Sequence, residues 1–338
     1  TDPFVVSSTM PSALERNGDF SQTRNFAGQL RFIRNPFSGL PCNVNTGGAG
    51  CFPGNVIPQS MINPLARQIM NLSPLPDPAL VGNPVTQGNY NYQFAGDTEK
   101  LRRDNVIRVD WNVGRKTTFY TRFQMGKEVF GRGQYNETTP ALIAGAGMGF
   151  PWSEGSYDIN TKGYVSTLTH TFSSSTVLEI IGGSNWAEQD VYPLAQSDWD
   201  ALDYRNHLPG HRQYYPENNP NHILPDMTFA GANALPMTRA INIGQGQSFP
   251  WLATNDTHNI SVNLTHVRGK HNMKTGFFYE RTGRPGPLSS NAGTYNFNSD
   301  AANPLDTNLG WANAAMGHLN TYTENNNNQR SMPAFNQP

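Results

Sequence analysis

Pairs of alternating strands joined by short polar turns constrain the fold of this chain more than any other sequence feature. The clearest pair covers residues 256–281, where Ile260 and Val262 alternate with polar side chains before a turn at 268–271. The returning segment alternates in the same way through Phe277. Successive side chains of a strand face opposite sides, so one face of this hairpin contacts an apolar medium and the other contacts water or polar groups. Whether that medium is protein core or lipid decides the fold.

Two further segments repeat this design. They cover residues 104–125 and 162–186, with turns at 114–116 and 173–175. The return strand of the second hairpin is apolar on both sides, because Leu178 and Ile180 alternate with Val177 and Ile181. The sequence therefore leaves open which of its faces is the apolar one.

The connections between these hairpins are of a different kind. Residues 127–160, 187–255 and 285 onward are long, rich in Gly, Pro and Asn, and contain many aromatic residues. Short turns at one end of the strands and long loops at the other are typical of transmembrane β-barrels. The alternative is a surface or secreted β-sandwich that binds carbohydrate, in which the apolar faces would meet across two sheets.

The composition supports a β-rich protein with long polar loops. Charged residues make up 14% and hydrophobic residues 36%, with 32 Gly and 25 Pro. A helical enzyme would carry more charge. A net charge of −1 provides no basic field for nucleic acid. No apolar run is long enough for a transmembrane helix, whereas strands of a membrane barrel carry only a weak alternating signal.

Residues 1–100 contain many turn signals and prolines, and one short helix is predicted near residues 63–72. Asn63 is a good N-cap, and Pro64 suits the first helical position. Cys42 and Cys51 flank a flexible glycine-containing loop, which predicts a local disulfide in an oxidising compartment. Metal binding by the two cysteines is the alternative, although no histidine or further cysteine lies close in sequence.

Four segments of the chain carry motifs in an order that is typical of one receptor family. Residues 17–21 read NGDFS with NPFSG at 35–39, residues 52–58 read FPGNVIP with INPLA at 62–66, residues 105–110 read NVIRVD, and residues 267–276 read VRGKHNMKTG. In this ordered set the chain resembles the Oar-like TonB-dependent outer-membrane receptors of the acidobacterial type. The matches span roughly residues 15–320.

This resemblance implies a large barrel of about 22 strands that is plugged by an N-terminal domain. Such receptors move bulky ligands inward with energy relayed from the inner membrane. The chain shows no plug, no TonB box and no final aromatic strand. Its 338 residues suffice for about eight to ten strands with their loops. We therefore expect a partial, all-β, antiparallel transmembrane β-barrel with long extracellular loops, as a fragment of a longer receptor.

The resemblance also implies an organisation and a set of partners. Residues 1–100 are expected to form a loop-rich segment of the early barrel, and residues 101–338 to form barrel hairpins truncated at both ends. The expected location is the outer membrane, with its lipid as a partner. The TonB complex would be contacted through the missing plug of the full-length parent. The ligand would be a carbohydrate, a peptide or a siderophore. Because they are short, the turns at 114–116, 173–175 and 268–271 are expected to face the periplasm.

Aromatic residues in the long loops are the candidates for ligand binding. They are Trp199, Tyr204, Tyr214 and Tyr215. Aromatic rings stack on sugars and peptides, and they also anchor barrels at the level of the lipid headgroups. Both roles stay open for Trp152, Trp186 and Trp251. For the aromatic residues within strands, such as Phe277, lipid contact is the preferred interpretation.

Other chemistry-bearing patterns are incomplete. His207, His211 and His222 have ligand-like spacing, but Pro209 and Gly210 exclude a shared helical face, so a solvated loop is the simplest interpretation. The aspartates at 198, 200 and 203 and the glycine run at 145–149 lack the residues that complete a calcium loop or a phosphate loop. No nucleophile motif occurs. We expect no metal, no cofactor and no enzymatic activity.

Overall fold

The structure is a computed structural model, and it describes most of the chain. The described residues are 2–25, 27–81, 90–98, 100–130, 155–193, 196–235, 251–283, 288–289, 292–324 and 326. They form one large antiparallel sheet, two small sheets, and a compact unit of loops and short helices. No helix within these ranges is long and apolar enough to cross a membrane.

The secondary structure is dominated by strands. In chain order they are β1 Asp2–Ser8, β2 Tyr92–Thr98, β3 Lys100–Gly114, β4 Thr117–Phe130, β5 Gly155–Ser173, β6 Thr176–Pro193, β7 Asp226–Thr228, β8 Trp251–Arg268, β9 His271–Gly283, β10 Leu288–Ser289, β11 Thr294–Asn296 and β12 Thr321–Thr323. The α-helices are α1 Ala13–Arg16, α2 Pro64–Asn71, α3 Gln196–Leu202, α4 Tyr204–His207 and α5 Gly310–Met316. Short 3-10 turns cover Pro53–Asn55, Gln59–Met61 and Pro216–Asn218.

The large sheet is an up-and-down meander of long strands. Its order is β3-β4-β5-β6-β8. Both β9 and β10 pair with the free edge of β8: β9 pairs with residues 256–268, and β10 pairs with residues 251–252. Six of its seven described strands have 13 to 19 residues, which exceeds the roughly 9–11 that a tilted strand needs to cross a bilayer. Between β8 and β9, Gly269 takes a φ of 61°, a left-handed conformation that needs no Cβ and permits a tight turn.

The strand register gathers the apolar side chains onto one face of this sheet. One row, read across six strands, contains Trp111, Phe119, Leu168, Ile180, Val262 and Phe277. The register also determines which side chains of β6 lie on the apolar face. Leu178 and Ile180 share the apolar face, while Glu179 and Ile181 lie on the polar face with Asn263.

The apolar face of the sheet is exposed. Trp111 is 63% exposed and Phe277 is 61% exposed, and no second sheet covers them within the described chain. A β-sandwich would have sealed this face against another sheet. The sandwich alternative is therefore wrong, because large apolar side chains arranged in a continuous exposed face require an apolar medium around the protein.

Residues 9–81 and parts of the long connections at 187–255 and 285 onward fold together into a compact unit, which we call the loop cap and define as residues 9–81, 196–235 and 292–324. These segments leave the strands at the end opposite the short turns. Their shared core contains Phe20, Ile33, Ile57, Met70, Leu224, Phe229, Phe297 and Trp311. The rings of Phe229 and Trp311 stack with centroids 3.8 Å apart. The cap thus holds most of the buried apolar side chains that are described.

The predicted helix near residues 63–72 is confirmed as α2. Asn63 Oδ1 accepts a hydrogen bond from the backbone N–H of Leu65 at 2.9 Å, and Pro64 occupies the first turn. The helix packs on α5, and Asn63 N donates to Ala315 O at 3.0 Å. The division of the chain at residue 100 stays a prediction, and residues from both sides of it contribute to the core of the cap.

Candidate functional site

Two of the four predicted ligand-binding aromatics pack into the loop cap. Trp199 in α3 and Tyr204 at the start of α4 are half-buried against the core. The ring of Tyr204 meets the ring of His211 edge-on, with centroids 4.8 Å apart. Asp203 caps α4 by accepting a hydrogen bond from Arg205 N at 2.9 Å. Trp199 and Tyr204 therefore contribute to the packing of the cap, and a role for them in ligand binding stays a prediction.

The other two aromatics lie on the surface of the cap. Tyr214 is 79% exposed and Tyr215 is 37% exposed. Their backbone N–H groups donate to the carboxylate of Glu324, at 3.0 Å and 2.8 Å. The same carboxylate accepts a hydrogen bond from Tyr322 Oη. Glu324 therefore holds the two tyrosines in place from a segment about 110 residues away in the chain.

A cluster of rings lies behind this exposed pair. The centroids of Tyr214 and Tyr322 are 6.3 Å apart, and those of Tyr322 and Tyr295 are 4.9 Å apart. Tyr295 Oη is hydrogen-bonded to His211 Nδ1 at 2.6 Å. Burial raises the pKa of Tyr295 to about 12. Burial also raises the pKa of Tyr322, and the hydrogen bond to Glu324 raises it further. Both phenols are therefore neutral hydrogen-bonding groups at ordinary pH.

The interpretation of His211 as part of a solvated loop is wrong. Its side chain is 2% exposed, and its Nε2 is buried without a hydrogen-bond partner in the structure. Burial lowers the pKa of His211, so the neutral ring is favoured. Within the described chain, no three His, Cys, Asp or Glu side chains are grouped as metal ligands.

Sequence reasoning missed the residues that organise this site. Tyr295, Tyr322 and Glu324 carry no motif, and they reach His211 and Tyr214 only through the folding of distant segments. Trp152 and the glycine run at 145–149 lie outside the described residues.

The cysteine pair lies elsewhere in the cap. A disulfide joins Cys42 and Cys51, with an S–S distance of 2.02 Å. Asn308 Nδ2 donates to Cys42 O at 3.3 Å, which ties this loop to the segment before α5. The bond therefore fixes a surface loop of the cap and takes no part in the tyrosine cluster.

The sheet carries a row of rings on its apolar face. Phe123, Tyr164, Trp186 and His258 follow one another across β4, β5, β6 and β8, with centroids 6.3, 6.2 and 5.5 Å apart. Trp186 lies ten residues after Thr176, the first residue of β6 at the short-turn end. At about 3.3 Å per residue and a tilt of about 40°, this step covers about 25 Å along the membrane normal. Trp186 therefore lies where an interfacial aromatic girdle is expected.

The sheet is a meander of long antiparallel strands, its apolar face is exposed, and a row of aromatic rings lies near one end of that face. These features define the fold of a β-barrel of the outer membrane. The chain matches the family model described as outer membrane beta barrel domain over residues 2–337, and it belongs to that family. It is a protein of the outer membrane. A comparison with curated proteins and a comparison with solved structures each find no match.

Proposed function

We propose that this chain is the barrel portion of a TonB-dependent receptor that takes up a bulky ligand and performs no catalysis. The ordered sequence motifs support the receptor type. The observation that carries the proposal is the loop cap, because three separate segments of the chain assemble one buried core and present Tyr214 and Tyr215 at its surface. Barrels place such functional surfaces on their longer loops.

The proposed orientation places the short turns in the periplasm and the loop cap outside the cell. The brevity of the turns at 114–116, 173–175 and 268–271 supports it. A Ser174→Cys variant tests it with a membrane-impermeant maleimide. Labelling is expected only after permeabilisation, and labelling in intact cells would reject this orientation. A cysteine at Phe37, which is 63% exposed in the cap, serves as the accessible control.

Tyr214 is the residue that we propose contacts the ligand directly. Its ring is largely free, whereas its backbone is held by Glu324. Such a ring loses little conformational freedom when a sugar or peptide stacks on it. The ligand class that fits is a carbohydrate, a peptide or a siderophore with a flat or apolar face.

Binding is tested with glycan and peptide arrays probed by the full chain in detergent. Tyr214→Ala is expected to weaken the strongest signal by about three- to tenfold, which corresponds to roughly 0.5–1.5 kcal/mol for an aromatic contact. Phe37→Ala removes another exposed ring of the cap and is expected to leave the signal unchanged. Equal losses in both variants would contradict a specific role of Tyr214.

Energy coupling and catalysis are tested with the array-selected compound. Cells that carry the receptor should accumulate it, and an uncoupler or loss of TonB should abolish the accumulation. Equal accumulation without TonB would contradict the uptake proposal. Mass spectrometry of the compound after incubation should show no chemical change, and a modified product would contradict the non-catalytic role.

A further inference from the structure

The short-turn end of the sheet carries positive charge without any carboxylate. Four basic residues, which we call the cationic rim, lie in the turns or beside them: Arg115, Lys116, Arg268 and Lys270. All four are exposed, and none forms an ion pair with another described residue. Segments 111–118, 169–178 and 263–275, which build this end, contain no Asp or Glu. The positive charge of the rim is therefore left for an external anion.

The opposite end of the same sheet is different. Its basic residues lie among carboxylates, and two of them form ion pairs: Arg102 with Asp104 at 2.9 Å, and Lys127 with Asp158 at 3.8 Å. The charge asymmetry along the strands is thus a property of the short-turn end and does not reflect a general excess of basic residues, since the whole chain has a net charge of −1.

Large apolar side chains lie directly beside the cationic rim. Phe172 is 51% exposed, and Val113 and Met273 are each 48% exposed. The register pairs Met273 with His266 on the apolar face, and the ring of Phe172 meets the ring of His170 edge-on with centroids 4.6 Å apart. Val113 lies beside the turn at 114–116, where the register of β3 and β4 shifts. Exposed apolar side chains followed by a row of cations match a membrane boundary, where hydrocarbon gives way to headgroups.

Histidines on this face add further hydrogen-bonding groups. His170 Nδ1 is hydrogen-bonded to Thr117 Oγ1 at 2.7 Å, and His266 Nδ1 to Thr176 Oγ1 at 2.8 Å. These cross-strand bonds fix the two rings at the boundary between the apolar face and the rim. Their second nitrogens have no hydrogen-bond partner among the described residues.

We infer that the cationic rim binds the phosphate groups of anionic phospholipids in the leaflet at the short-turn end. Guanidinium and ammonium groups are the usual ligands of phosphate. The adjacent apolar residues contact the acyl chains of the same lipids, which a soluble phosphate compound does not require. The inference depends on the membrane location of the sheet, and it stands independently of the uptake function.

The test measures lipid selectivity at the protein surface by spin-label resonance, with the full chain in phosphatidylcholine vesicles. Spin-labelled phosphatidylglycerol is expected to associate more strongly than spin-labelled phosphatidylcholine. The triple variant R115Q/R268Q/K270Q should abolish most of this preference, because each basic residue removed costs about 1 kcal/mol, or about fivefold in association. The matched variant R102Q/R103Q/K127Q removes the same charge from the other end and should retain the preference.

Three further results decide the inference. Added salt should weaken the preference, as screening of exposed charges requires. At matched ionic strength, inorganic phosphate should compete no better than chloride, and stronger competition would indicate a site for free phosphate and overturn the lipid assignment. A preference for lipid A over phosphatidylglycerol, or equal behaviour of the two triple variants, would also overturn it. Circular dichroism and gel mobility check that each variant is folded. The variant R268K keeps the positive charge and should therefore retain the preference for phosphatidylglycerol.

Discussion

Phe277 and Phe278 offer a direct test of which face of the sheet contacts lipid. They are neighbours on β9 and are almost equally exposed, at 61% and 62%. Their cross-strand partners place them on opposite faces, because Phe277 lies opposite Val262 and Phe278 lies opposite Ser261. We predict that Phe277→Arg destabilises the membrane-inserted protein much more than Phe278→Arg does.

The magnitude follows from the depth of Phe277. It lies six residues after the start of β9 at His271. This distance is about 20 Å along the strand and about 15 Å along the membrane normal at a tilt of about 40°, which is near the middle of the hydrocarbon layer. Arginine on the lipid face at that depth costs about 2–4 kcal/mol, whereas arginine at the same depth on the polar face is expected to cost less than about 1 kcal/mol.

The assay is urea unfolding in phospholipid vesicles, followed by tryptophan fluorescence. The wild-type chain provides six tryptophans as probes. Both variants are compared at one lipid composition, and heat-dependent gel mobility confirms that each inserts. Equal destabilisation by the two substitutions, or a larger effect of Phe278→Arg, would refute the assignment of the faces.

Three other predictions concern the loop cap. Glu324→Gln should speed hydrogen exchange at the backbone amides of Tyr214 and Tyr215, because weaker hydrogen bonds to residue 324 lower the local stability by about 1–3 kcal/mol. The control Glu217→Gln, at an exposed position, should leave this exchange unchanged. The cap should become less stable in thermal melts as the pH falls through 6.5. Burial lowers the pKa of His211 in the folded state, so the unfolded chain takes up the proton at a higher pH than the folded chain does. His211→Gln should flatten this pH dependence. Cys42→Ser should cost the cap about 2–3 kcal/mol in chemical unfolding, since it opens a short closed loop, and an unchanged midpoint would contradict this.

Local alternation was sufficient to predict the six strands of the three hairpins, but not their outer ends or the face of every strand. β4 and β6 end at Phe130 and Pro193, and β5 and β8 begin at Gly155 and Trp251, within segments that the sequence assigned to long loops. β1 and β2 were not predicted. The turn near residue 269 and the alternation on either side of it determine one hairpin directly. Leu178 and Ile181 are both apolar, so their facing depends on pairing with β5 and β8, which the isolated segment does not reveal. The helix at residue 64 was predictable because its cap and its proline are local signals.

The loop cap was not predictable in the same way, because its contacts join segments that have no periodicity. His211 is buried by Tyr204 and Tyr295, which lie on either side of it in the chain at very different separations. A histidine that directly follows Pro209 and Gly210 is therefore interpreted as solvated from the sequence alone. The exposed Tyr214 and the half-buried Tyr204 are likewise indistinguishable until the position of Glu324 is known.

Buried asparagines explain how a chain rich in loop-forming residues builds an ordered cap. Asn55 Nδ2 donates to the carbonyls of Phe20 and Arg31 at 2.6 and 2.7 Å, and its Oδ1 accepts from Ile33 N at 2.7 Å. Such side-chain amides satisfy backbone groups that would otherwise be paired within helices or strands.

Asn313 does the same around α5. It is fully buried, its Nδ2 donates to Phe297 O at 3.1 Å, and its Oδ1 accepts from Thr307 N at 2.7 Å. The asparagines that make the sequence look like loop are therefore among the residues that hold the loops in one conformation. A surface fixed in this way is preorganised, so the ligand binding that we propose at Tyr214 requires little further ordering of the cap.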